Sequence, residues 1–85
     1  MEKVIMYGAM WCGDCVRAKR LMDAHAISFE FRDIDAQPEL ARTVIAFNEQ
    51  LGLGSKRRIP VILVGDKVLS EPSNAELAQA LSLEL

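Results

Sequence analysis

Two cysteines three residues apart, Cys12 and Cys15, are the side chains best suited to chemistry in this 85-residue chain, and they are its only cysteines. A secreted domain stapled by disulfides carries more of them at wider spacings, whereas a close pair in a reducing compartment is reactive or metal-bound. Residues three apart on a helix have Cβ atoms roughly 5–6 Å from one another, so modest local adjustment lets such a pair form a disulfide. The run Trp11-Cys12-Gly13-Asp14-Cys15 sits where a predicted strand hands over to a predicted helix. Cys12 then falls at or just before the first helical turn. Free N–H groups and the positive end of the helix dipole favour its thiolate over its thiol, and the thiolate is the attacking species in disulfide exchange. Cys15, one turn further in, is the shielded partner suited to resolve a mixed disulfide formed on Cys12.

The neighbours fit this chemistry unequally. Gly13 permits a tight entry into the helix and leaves the Cys12 sulfur accessible. Asp14 favours the helix start, but its negative charge opposes a depressed thiol pKa. Trp11 is either an apolar flank for an incoming disulfide or a core anchor at the strand end. Zinc is the competing use of the pair. A closed structural site takes four Cys or His ligands, and the chain supplies two Cys and His25 alone. His25 also falls on the expected inner face of its helix. No metal is expected.

The elements that position the pair follow from hydrophobic spacing. Lys3 to Tyr7 forms a short buried strand ended by Gly8. Gly13 to His25 forms a helix with Ala18, Leu21, Met22 and His25 on one face. Ser28 to Asp33 alternates as a second strand, with Phe29 and Phe31 on one side. Asp33, Asp35 and Pro38 turn the chain into a helix from Pro38 to Leu51, whose apolar face is Leu40, Val44, Phe47 and Leu51. Pro38 suits its first turn, and Gly52 and Gly54 stop it. After the basic loop Lys56-Arg57-Arg58 and Ile59-Pro60, Val61 to Val64 forms an aliphatic strand. Gly65-Asp66 turns it into a hairpin with Lys67 to Leu69. Pro72 and Ser73 open a last helix, with Ser73 and Glu76 at capping-box spacing and Leu77, Ala78 and Leu81 facing inward. The order predicts one α/β domain over residues 1–85: a four-stranded mixed sheet, β-α-β-α-β-β-α, with helices on both faces.

Composition narrows the classes. A formal net charge of −2 and 51% apolar residues are ordinary for a globular domain and give no bias toward nucleic acid or anionic membrane. The longest apolar runs are too short to span a bilayer. The N-terminus reads as a strand rather than a secretion signal, so a cytoplasmic location is expected.

Trp-Cys-Gly-Asp-Cys after a first strand, Ile59-Pro60 opening the third strand and Glu71-Pro72-Ser73 opening the last helix resemble the glutaredoxin family, and within it the mycoredoxin-like branch. The resemblance spans essentially the whole chain. It implies the thioredoxin fold, with Cys12 as nucleophile and Cys15 as resolving thiol. It also implies a cis Ile59–Pro60 peptide beside the two sulfurs, with the Ile59 backbone pairing with bound substrate. Trp11, Gly13, Asp14, Ile59, Pro60, Ser73 and Asn74 are the substrate-binding residues on this reading. A low-molecular-weight thiol, mycothiol or glutathione, is the implied co-substrate, with no tightly bound cofactor.

Two departures bear on the reductant. Gly8, Ala9 and Met10 stand where glutathione-using members often carry a basic residue, and Ser70 to Asn74 replaces their Gly-Gly turn. The expected activity is therefore reduction of mixed or protein disulfides, by a monomer that binds neither nucleic acid nor membrane. Reduction by thioredoxin reductase, as in electron donors to ribonucleotide reductase, is the alternative within the same chemistry. A [2Fe–2S] cluster shared across a dimer is the alternative outside it, since Gly13 replaces the proline that disfavours clusters in the family. An interaction protein that has lost catalysis is a further reading, disfavoured because both cysteines are present.

Overall fold

A computed structural model of the protein describes residues 2–84. Seven elements follow the order expected from the sequence: β1 (Val4–Gly8), α1 (Gly13–Ala24), β2 (Glu30–Asp33), α2 (Leu40–Gln50), β3 (Val61–Val64), β4 (Lys67–Ser70) and α3 (Asn74–Ala80). The strands form one sheet in the order β2-β1-β3-β4. β1 runs parallel to β2 and antiparallel to β3, and β3 and β4 form the hairpin. Gly65 turns that hairpin at φ 58°, a left-handed conformation that costs glycine little.

Strand alternation assigns the helices to faces. Tyr7 reaches the ring of Phe47 in α2 at 5.8 Å between centroids, while Gly8 backs onto Cys15 in α1. Successive strand residues point to opposite faces, so α2 covers one face and α1, which packs against α3, covers the other. Met6, Met22, Ile62, Leu77, Val44 and Val61 are fully buried between these layers. Each such side chain contributes roughly 1.5–3 kcal/mol relative to exposure.

Four expectations are corrected in detail. β2 begins at Glu30, not Ser28, because pairing with β1 starts at Ile5↔Glu30. α2 begins at Leu40 rather than Pro38. Tight turns from Leu40 N–H to the Gln37 carbonyl and from Ala41 N–H to the Pro38 carbonyl, both 3.0 Å, precede it. Leu51 lies past the end of α2 and is exposed, so the inner face of that helix closes on Asn48 instead. His25 is the exposed C-cap of α1, not an inward residue, because the helix ends at Ala24. The α3 start is as expected: the Ser73 hydroxyl accepts from the Glu76 N–H at 3.1 Å and the Glu76 carboxylate accepts from the Ser73 N–H at 2.9 Å. That reciprocal bonding lowers the Glu76 pKa.

Candidate active site

β1 and β3 run antiparallel, so the C-terminal end of β1 and the N-terminal end of β3 lie at the same edge of the sheet. From Gly8 the chain turns through residues 9–11, the Cys12 N–H bonding the Ala9 carbonyl at 3.3 Å. Cys12 then caps α1 in an extended conformation (φ −79°, ψ 117°), and its sulfur accepts the Cys15 N–H at 3.3 Å. Sulfur thus takes the place of the oxygen usual at an N-cap. The same sulfur lies 3.9 Å from the Ile59 carbonyl, and the Ile59–Pro60 peptide is cis. The cysteine pair and the proline segment, 45 residues apart in sequence, are thereby brought together. Both thiols are free.

The two thiols differ in surroundings. Cys12 retains 8% exposure and Cys15 none. Burial, and next a hydrogen bond to Cys12, push the Cys15 pKa up to about 12; the Ala9 backbone hydrogen bond opposes this, and the charges of Cys12 and Asp14 add to it. The Asp14 charge thus favours the neutral thiol at Cys15. Gly8 is required on the other side of that sulfur. A Cβ at residue 8 would lie 2.7 Å from Cys15 Sγ, and the adjoining backbone is a paired central strand.

On the β2 side of Cys12, Trp11 is 72% exposed, which excludes its reading as a core anchor. Its indole N–H donates to Asp35 Oδ2 at 2.6 Å. Asp35 sits in a turn fixed by its own N–H donating to Asp33 Oδ1 at 2.8 Å. Met10 beside it is exposed, its sulfur 3.7 Å from the Lys19 ammonium. On the β3 side, the Glu71 N–H donates to the Pro60 carbonyl at 2.8 Å and brings the α3 approach alongside the proline. Fully buried Asn48 donates to the carbonyls of Lys56 (3.0 Å) and Arg58 (3.2 Å) and accepts from the Ser70 hydroxyl at 2.5 Å.

Ser73 and Asn74 border the site but are already engaged: Ser73 in its capping box, Asn74 by accepting from Arg17 Nη1 at 2.8 Å. Arg17 also donates to the Pro72 carbonyl at 3.1 Å and to Asp14 at 3.3 Å, clasping α1 to the start of α3. Gly13 and Asp14 are exposed in the first turn of α1. Sequence reasoning missed Gly8, Arg17, Asp35 and Asn48. Only Asn48 left a signal, a polar residue four after Val44 on an otherwise apolar helix face. A cleft of about 330 Å³ bordered by Val4, Ile27 and Leu81 lies at the opposite end of the sheet from the cysteines. No helix among the described residues is long and apolar enough to cross a membrane.

A βαβαββα sheet with a dithiol capping its first helix and a cis-proline opposite defines a thioredoxin-fold protein of redox type. The glutaredoxin of Archaeoglobus fulgidus shares the fold with a TM-score of 0.78 over 95% of this chain and 87% of that one, at 22% identity. The glutaredoxin-like NrdH-redoxin from Escherichia coli, a protein with a thioredoxin-like activity profile, matches at TM-score 0.68 and 26% identity over 91% of this chain and 92% of that one. A glutaredoxin of Neisseria meningitidis is 37% identical over 68 residues, covering 78% of this chain and 72% of the relative. The glutaredoxin family matches residues 4–69. The chain belongs to the glutaredoxin family, and it is a thiol–disulfide oxidoreductase.

Proposed function

We propose that the protein reduces mixed and protein disulfides, with Cys12 as the attacking thiolate and Cys15 as the resolving thiol. The observation that carries this reading is the Cys12 sulfur at the α1 N-cap, accepting the Cys15 N–H while facing the carbonyl before Pro60. Cys12 attacks one sulfur of the substrate disulfide, forms a mixed disulfide and expels the other sulfur as thiolate. Cys15 then loses its proton and attacks Cys12 Sγ, forming the Cys12–Cys15 disulfide and releasing the second thiolate. Two electrons pass to the substrate, and two protons complete its thiols.

The order of these steps has an electrostatic basis. Two of the causes that raise the Cys15 pKa, its hydrogen bond to Cys12 and the Cys12 charge, end when Cys12 enters the mixed disulfide. Their loss favours ionisation of Cys15 at that step, while burial, the largest cause, still opposes it. In a steady-state assay on a glutathionylated or mycothiolated substrate, Cys12→Ser is expected to abolish turnover and Cys15→Ser to spare only the single-thiol route. Full activity of Cys12→Ser refutes the assignment.

The reductant on this reading is a low-molecular-weight thiol, mycothiol or glutathione. The Glu71–Pro60 bond supports it by bringing the Glu71-Pro72-Ser73 segment to the site. A second reading, reduction by thioredoxin reductase, is favoured by the prior engagement of Ser73 and Asn74 and by the likeness to NrdH-redoxin. Stopped-flow emission of Trp11, the only tryptophan, separates the two when oxidised protein meets each reductant. A brown dimer with visible absorbance after anaerobic purification would instead favour the shared-cluster role.

A further inference from the structure

Resting on the reductase reading, we propose that Lys56-Arg57-Arg58 is a docking surface for an acidic peptide segment flanking the disulfide of a protein substrate. These are the only three consecutive basic residues in a chain of net charge −2. All three side chains are exposed. The run leads directly into Ile59, whose carbonyl faces the Cys12 sulfur at 3.9 Å. At the reach of an extended chain, Lys56 lies within roughly 11 Å of Ile59, so a peptide presenting its disulfide to Cys12 on this side passes the basic run.

A solvated charge run needs no internal support, and this one has it. Asn48, with no exposed surface, spends both amide hydrogens on the carbonyls of the first and third residues of the run. Its own oxygen is held by Ser70, which is paired with Val61 across the sheet. The backbone that displays the cations is thus tied to the frame that holds Ile59 and Pro60. Fixed charges lose less freedom on docking than charges on a mobile loop. Arg58 is engaged by Glu71 at 3.4 Å, while Lys56 and Arg57 enter no ion pair among the described residues.

The mouth is also polarised. The chain leaves β1 with Asp33 paired to Gly8 on one side and Val61 paired to Tyr7 on the other. The β2 side carries Asp33 and Asp35 together with Lys19, whose ammonium lies over the Phe31 ring, and the β3 side carries the three cations, of which Arg58 is paired with Glu71. An acidic segment is attracted to the unpaired Lys56 and Arg57 on the β3 side, and a basic segment is repelled there. At physiological ionic strength this discrimination acts over about 8 Å.

The test compares two peptides with the same intramolecular disulfide, one flanked by glutamates and one by lysines, beside neutral hydroxyethyl disulfide as the reference rate. At low ionic strength the wild-type protein should reduce the acidic peptide on the order of tenfold faster than the basic one, with the ratio collapsing as salt rises. Lys56→Glu with Arg57→Glu should invert the ratio. Equal peptide rates, or a ratio unmoved by the double variant, overturn the proposal while reduction of the neutral disulfide leaves the reductase reading standing. A charge effect confined to glutathione as reductant also overturns it, because the loop then serves the small thiol. Failure to reduce any of the three disulfides removes the reductase reading and this proposal together.

Discussion

The two sides of Cys12 are built by different means. Toward β3, Ile59, Pro60, Asn48 and Cys15 are buried, and no buried side-chain nitrogen or oxygen among the described residues lacks a partner. Toward β2, Met10 and Trp11 are exposed at 66% and 72%, and a single side-chain hydrogen bond to Asp35 holds the indole. The inner side fixes where the sulfurs sit and holds the Cys15 thiol neutral by burial. The outer side contributes contact area whose loss leaves that geometry in place. The buried frame around the sulfurs and the exposed contact area beside them are therefore built separately, and substitutions on the two sides should have different signatures.

The hardest test of the inner side is Asn48→Leu. It leaves the carbonyls of Lys56 and Arg58 and the Ser70 hydroxyl without their partner, at about 1–3 kcal/mol for each group that stays buried. At about 4–8 °C per kcal/mol for a domain of this size, the melting temperature should fall by more than about 10 °C. A melting temperature close to wild type would break the comparison, because the inner side would then owe little to its bonding.

The next effect is a pH dependence. The unfolded Cys15 thiol ionises near its ordinary value of 9.0, and the folded one only at about 12. Its contribution to stability is thus fully present below pH 9, is lost as pH rises toward 12, and has the sign of a group that unfolds to release a proton. Urea midpoints of the reduced protein should fall over that window, and those of Cys15→Ser should fall less. Parallel curves would show that burial does not hold this thiol neutral.

Asp35→Ala should have the smallest effect on stability, within about 0.5 kcal/mol as for other surface substitutions. It should nonetheless shift Trp11 emission and raise KM for a protein disulfide more than it lowers kcat. Asp35→Asn, which keeps an acceptor for the indole N–H, should restore both readouts. A fall in kcat alone would place Asp35 with the inner side and erase the distinction.

The sequence discloses the parts of this arrangement that depend on local pattern. The element order, the hairpin at Gly65, the capping box of α3 and the place of the cysteines at a helix start all follow from spacing and turn chemistry. Residues whose role comes from distant partners stay hidden. Asn48 looks like an interruption of an apolar face until Lys56, Arg58 and Ser70 are placed around it. Gly8 looks like a strand end until Cys15 packs on it. The misplacement of His25 and Leu51 has one cause: periodicity extends a face beyond the residue where the helix stops. Pro60 stands between these cases, because the cis form occurs at only about 5–6% of X–Pro bonds and the resemblance, not the spacing, pointed to it.

The cap of α1 carries a last consequence. Serine or aspartate at a helix start is a dedicated fastener with no other task. In the proposed cycle the fastener is also the reagent: the Cys12 lone pairs that receive the Cys15 N–H are those offered to an incoming sulfur. A sulfur shared with a second sulfur is a poorer acceptor than a thiolate, so that proposed cycle would loosen and re-tie the first turn of the helix as it proceeds. The amide proton of Cys15 is in effect a built-in dial, and its resonance should move with every change in the bonding of Cys12.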